Sequence, residues 1–96
     1  MENLVLERVI NGGIQRGFKF ENGFGASVVR HSFSYGGDRG LWELAVVKFR
    51  DEDWDSSSLT YMTDITDDVI GYLTWIEVEI LLDKIKNLDE FGQAKE

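Results

Sequence analysis

Apolar and polar side chains alternate in "FKF" at residues 18–20 and in "VRHSFSY" at residues 29–35, the period-two signature of strands whose side chains point to opposite faces. "LVLERVI" runs into "NGG" at residues 11–13, where Asn and Gly accept positive φ at little cost, so a hairpin returns the chain through "IQRGFKF". Phe18 and Phe20 share one side of that second segment. "ENGFG" then supplies another Asn-Gly turn at Asn22 and Gly23, leading into a third strand at about Ala26. In "ASVVRHSFSY" the side chains of Val29, His31, Phe33 and Tyr35 fall on one face, and those of Val28, Arg30, Ser32 and Ser34 on the other. The loop "GGDRG" turns the chain into "LWELAVVKF", with Trp42, Leu44 and Val46 on one side and Leu41, Ala45, Val47 and Phe49 on the other. A hairpin symmetric about Asp38 pairs residues whose numbers sum to 76, setting Val29 beside Val47, His31 beside Ala45 and Phe33 beside Glu43.

The polar "RDEDWDSSS" follows, and the β-branched and aromatic content of "LTYMT" suggests a fifth short strand. Beyond it the period changes. "TDDVIGYLT" offers Thr66 and Asp67 as N-caps for a short helical turn that Gly71 weakens. Thr74 and Glu77 form the T-x-x-E pattern of a capping box, so a helix begins at Trp75. Val78, Leu81, Leu82, Ile85 and Leu88 recur at helical spacing, Ile76 and Ile80 widen the stripe, and Glu77, Glu79, Asp83, Lys84 and Lys86 take the water side. Glu79 and Asp83 are a like-charged i, i+4 pair, so burial of the stripe holds this helix, at about 1.5–3 kcal/mol per fully buried Leu or Ile. The tail beyond Gly92 is expected to fray. The expected fold is α+β. It is one domain over 1–96, with an antiparallel hairpin meander of four or five strands over 1–63 and a helical part over 66–90 whose amphipathic C-terminal helix packs on one face of the sheet. Val29, Phe33, Leu44, Val46, Leu81 and Ile85 are its expected core.

Composition narrows the functional classes. The chain has 96 residues and 43% hydrophobic side chains, enough for one core and no second domain. It has no cysteine, which excludes disulfides, thiolate nucleophiles and thiolate metal sites and fits a reducing cytoplasm. No apolar run approaches the roughly 20 residues needed to cross a bilayer, and "MENLVLERV" lacks the features of a signal peptide, so no membrane partner is expected and the compartment is read as cytoplasmic. Eighteen acidic against ten basic side chains give a net charge of −8. Residues 1–50 contain seven basic and five acidic side chains (7 − 5 = +2), and residues 51–96 contain three and thirteen (3 − 13 = −10). Phosphate neutralisation dominates nucleic-acid affinity, so an acidic half argues against direct nucleic-acid binding. It permits a basic protein partner, or mimicry of nucleic acid.

Candidate chemistry is sparse. His31 is the sole histidine and has neither a second His nor a Cys to join it as a ligand, and no G-x-S-x-G elbow accompanies Ser32 or Ser34. It is read as a sheet histidine, and no catalytic residue is assigned. Asp51, Asp53, Asp55 and Ser57 alternate like the opening of a calcium loop. However, Ser56 replaces its glycine and Met62 its bidentate Glu, so even with Asp64, Asp67 and Asp68 nearby no metal or other cofactor is assigned. The glycine pairs lack a following G-K-[ST] and are read as turns. Trp54, in the middle of the acidic loop, is either an aromatic anchor for a partner or a ring folded back onto its own hairpin. The expected partner-binding set is Asp51, Glu52, Asp53, Trp54, Asp55, Asp64, Asp67 and Asp68 with Glu77, Glu79 and Asp83 of the helix.

The segments "ENGFGASVVRHSFSYGGDRGLWELAVV" and "ITDDVIGYLTWIEVEILLDKIKNL" carry N-G-[FY]-G-A-S-V-V, S-Y-G-G, W-E-L-A-V and T-D-D-V-I-G-[YW]-L-T motifs. On these, over about residues 18–88, the chain resembles small, largely uncharacterised accessory proteins encoded by tailed bacteriophages. No catalytic or binding residues carry over from the resemblance. It implies an accessory phage gene product acting in the bacterial cytoplasm. The expected function is a non-enzymatic protein that binds a host bacterial protein with a basic surface, modulating or inhibiting it or a defence complex. The alternative is a structural or assembly protein of the phage particle acting as a homo-oligomer through an exposed strand edge; a ring or larger assembly belongs to this reading, and a homodimer is allowed for without it.

Overall fold

In the computed structural model, which describes residues 2–95, six strands form one antiparallel sheet with a single helix across one face. The strands are β1 (Leu4–Ile10), β2 (Gly13–Lys19), β3 (Phe24–Arg30), β4 (Trp42–Lys48), β5 (Ser58–Leu59) and β6 (Ile70–Leu73), and the helix α1 is Trp75–Lys86. The sheet order is β1-β2-β3-β4-β5, and β6 also pairs with β4. β5 lies against Val47 and Lys48, and β6 against Trp42 and Leu44, so both share the outer edge of β4. β1 forms the opposite edge. The class is α+β, with the meander and the C-terminal helix that the periodicities predict.

Local signals place most of the elements. Asn11 (φ 48°) and Gly12 (φ 75°) both take left-handed conformations, which gives the β1–β2 hairpin a turn whose twist matches its strands. At the other end of the chain the capping box is complete. The Thr74 hydroxyl accepts from the Glu77 amide (3.3 Å), and the Glu77 carboxylate accepts from the Thr74 amide (2.9 Å).

The core lies between α1 and the sheet face that carries Phe18, Ala26, Val28, Leu44 and Val46, with Val78, Ile85 and Leu88 facing them. Each fully buried aliphatic side chain contributes about 1.5–3 kcal/mol. One turn residue clamps the layers together. Asn22, between β2 and β3, donates its side-chain amide to the carbonyls of Ile85 (2.9 Å) and Leu88 (3.0 Å), satisfying orphan acceptors where α1 ends.

Several expectations are corrected. The β3–β4 register pairs residues summing to 72, as in Ala26 with Val46 and Val28 with Leu44, not 76. The cause is local: β3 ends at Arg30 because Ser34 Oγ accepts from the His31 amide (2.9 Å) and His31 Nδ1 accepts from the Phe33 amide (3.1 Å), closing a tight turn. His31 therefore sits in a turn instead of on the sheet, Phe33 is 80% exposed instead of in the core, and Val29 is buried on the face away from α1. "LTYMT" yields only the end of β5, because Thr60 to Val69 runs as an irregular loop pinned by Thr hydroxyls. The short helical turn expected within 66–74 does not form: 66–69 belongs to that loop and Ile70–Leu73 is β6, which burial of Leu73 and pairing with β4 favour over the weak helical signal around Gly71. The tail is held at least to Ala94: its amide donates to Asp64 Oδ2 (2.9 Å), and the Asp64 amide donates to the Gly92 carbonyl (2.9 Å).

Candidate functional site

The acidic residues singled out in the sequence separate into two groups once folded. In the first, the side chains of Asp51, Asp64 and Asp68 build the loops that carry them. Asp51 Oδ1 accepts from the Asp53 amide (2.9 Å), Asp68 Oδ1 from the Val69 amide (2.7 Å) and Asp64 from Ala94. Glu52 meets Lys19 at 3.3 Å with a side chain 91% exposed, a pair worth little in water. Asp53, Asp55 and Asp67 are exposed and make no side-chain bonds among the described residues. Among those residues no group of three or more His, Cys, Asp or Glu side chains converges as a cation site.

Trp54 folds inward. Its ring lies across Gly17, where a Cβ would stand 2.6 Å from it, and packs edge-on against Phe49 at 5.7 Å between ring centres. Gly17 is thus the gap in β2 that receives the indole. Gln15 completes this second face, donating to Ser27 Oγ (2.9 Å) and accepting from Arg8 (2.7 Å). Of the two readings of Trp54, the structure supports the ring covering its own sheet.

The second group lies on α1. Glu79 and Asp83, one turn apart, stand beside a cleft of about 220 Å3 lined also by Phe18, Phe20, Trp75 and Leu82, with Glu2, Asn3 and Lys86 at its rim. Three chain segments meet here. The N-terminal residues reach the cleft because the Lys19 amide donates to the Asn3 carbonyl (3.0 Å), extending the β1–β2 ladder. Trp75 is held by an edge-to-face contact with Trp42 (5.0 Å) and by the Arg16 guanidinium, 4.9 Å from its ring centre. Arg16 is itself anchored, since its Nε donates to Glu7 (2.8 Å). At the rim Lys86 Nζ lies 3.4 Å from Glu2 Oε1. Three carboxylates and one ammonium leave the cleft with a formal charge of 1 − 3 = −2.

Asp83 also faces a neighbouring depression with Asp64, so these two helix and loop acids share one surface. Glu77 stands apart, beside an apolar groove with Ile70 and Ile80, and its carboxyl is held below the ordinary carboxylate range by the Thr74 amide and then by the Thr74 hydroxyl. Sequence reasoning missed Glu2, Phe18, Phe20 and Trp75 as neighbours of Glu79 and Asp83. The one available signal was the like-charged i, i+4 pair, a cost to the isolated helix that its own charges do not offset. Also missed was a surface aromatic group. Phe33 and Tyr35 are exposed, and the Tyr35 carbonyl accepts from the amide of Tyr72, a bulky residue in the left-handed region at φ 58°.

Compared with protein-family models, with curated proteins and with solved structures, the chain has no match. Among the described residues no helix is long and apolar enough to cross a membrane.

Proposed function

We propose that this is a non-enzymatic binding protein that engages a basic partner through the acidic face of α1, and that it is a phage product modulating or inhibiting a host protein or defence complex in the bacterial cytoplasm. The observation that carries the reading is the setting of Glu79 and Asp83. They are exposed carboxylates on successive turns of a rigid helix, beside an aromatic-walled cleft. Apolar contact area framed by like charge is how interfaces combine affinity with selection of a partner of opposite charge. Affinity capture from bacterial lysate tests it. A basic protein retained at low salt, released at moderate salt and not retained by a folded Glu79→Lys/Asp83→Lys variant is expected. Equal retention by that variant would move the interface off α1.

A second reading, assembly of a particle as a homo-oligomer, draws on β1. It is an open sheet edge of seven residues, with Val9 82% exposed. Light scattering discriminates: a stable ring or larger assembly favours this reading, and a monomer favours the first.

A further inference from the structure

We infer that the cleft between the N-terminal segment, β2 and α1 is a lysine-anchoring pocket, which receives a lysine side chain projected from the partner. The inference rests on the reading that the partner is a basic protein, and it names the group that is recognised. Three features of the cleft carry it.

The first is size. The cleft holds about 220 Å3, room for one side chain, and at Glu2, Asn3, Phe20 and Lys86 it opens onto a neighbouring depression of about 460 Å3 over which the partner that projects the side chain can lie. The second is the distribution of chemistry. Trp75 and Leu82, both partly exposed, supply apolar wall for a four-carbon stem over a floor of buried Phe18 and Phe20, while Glu2, Glu79 and Asp83 supply carboxylates for its terminal ammonium. Aliphatic body and cationic tip are the two halves of a lysine side chain, which neither an acidic nor a purely aliphatic side chain matches; arginine has both halves too, and the Lys86 ammonium already at the rim is what favours lysine. The third is internal. Lys86 of this chain already brings its ammonium to 3.4 Å from Glu2, so the rim holds an ammonium group in the folded protein. That contact is exposed on both sides, so little free energy holds Lys86 there and an incoming lysine can displace it.

Titration of the 15N-labelled protein with Nα-acetyl-lysine methylamide, read by NMR, tests the inference without any natural partner. Saturable shifts at the Trp75 indole N–H and the amides of Glu79 and Asp83 are expected, with Nα-acetyl-norleucine methylamide at least about tenfold weaker. Lys86→Met should strengthen binding of the lysine probe about two- to threefold. Lys84→Met removes the same charge from the same helix but does not line the cleft, and it should leave binding nearly unchanged. Equal shifts from lysine and norleucine, lysine shifts spread evenly over the 51–55 loop and α1, or equal effects of the two lysine variants would each overturn it. The outcomes also separate the two readings. If a basic partner is captured through α1 but the lysine probe does not bind, the pocket falls and the binding function stands; if the probe binds at the cleft and no partner is captured, the reverse holds.

Discussion

The loop at 51–55 and the outer face of α1 present the same kinds of side chain, carboxylates close to a tryptophan, and use them for opposite purposes. In the loop, Asp51 caps a turn and Trp54 covers Gly17 and Phe49, so the tryptophan goes into closing the second face of the sheet and leaves Asp53 and Asp55 exposed without an aromatic beside them on the surface. On α1 the backbone satisfies itself, so Glu79 and Asp83 have no turn to build and remain available at the cleft. Charge in an irregular segment tends to be recruited by unsatisfied amides, whereas charge on the solvent side of a helix stays available. Density of acidic residues is therefore a weaker guide to a binding surface than the structure that carries them.

The largest expected effect that bears on this contrast is Trp54→Ala. If the indole is structural, the variant loses about 3 kcal/mol in urea unfolding, because the cavity over Gly17 cannot close; a loss under about 0.5 kcal/mol would return Trp54 to the surface and erase the contrast. Next is Asn22→Ala. Removing a donor shared by two helix-end carbonyls should cost about 1–3 kcal/mol, with faster amide hydrogen exchange in the last turn of α1 than in the first. Thr74→Ala should cost about 1 kcal/mol by thermal or urea unfolding and fray the opposite end of α1, thereby weakening capture of any partner that needs the helix intact.

The effect of acid on Glu77 is smaller and has a definite sign. Its folded-state pKa is lowered by the Thr74 amide and hydroxyl, so its contribution is fully present above the unfolded-state value and is lost as pH falls through the folded one. The stability difference between the wild type and Glu77→Gln should accordingly shrink toward zero on acidification below the ordinary carboxylate range. A difference that persists in strong acid would show that the carboxylate is not what the cap uses. Smallest of all should be Asp53→Ala/Asp55→Ala, which is expected to change unfolding free energy by less than about 0.5 kcal/mol and to leave capture of a basic partner unchanged. Loss of capture in this pair, with Glu79→Lys/Asp83→Lys still active, would invert the comparison.

Legibility followed the range of the interaction. The Asn11-Gly12 turn, the Thr74–Glu77 box and the stripe through Val78, Ile85 and Leu88 each depend on residues a few positions apart and stand in the fold as read, whereas Ile76 (70% exposed) and Ile80 (52%), expected to widen the stripe, face outward because the sheet covers only one side of the helix. The β3–β4 register failed because it was inferred from loop symmetry about Asp38, whereas the His31–Ser34 turn ends β3 early. β6 failed for the opposite reason: the weak local preference around Gly71 yielded to pairing with β4 and burial of Leu73. Glu79 and Asp83 were recognisable as solvent-facing acids, but the cleft beside them was not.

By itself the sequence determined the α+β class, the start of the helix, the first hairpin and an acid surplus concentrated in the second half, because periodicity, caps, turn residues and charge are properties of short stretches. The tertiary structure alone decided which sheet face the helix covers, where Trp54 goes and which acids gain a cleft. The cleft depends on Asn3, Phe18 and Asp83 meeting across the fold and the place of Trp54 on Gly17, and contacts between segments so far apart in the chain have no local pattern to announce them.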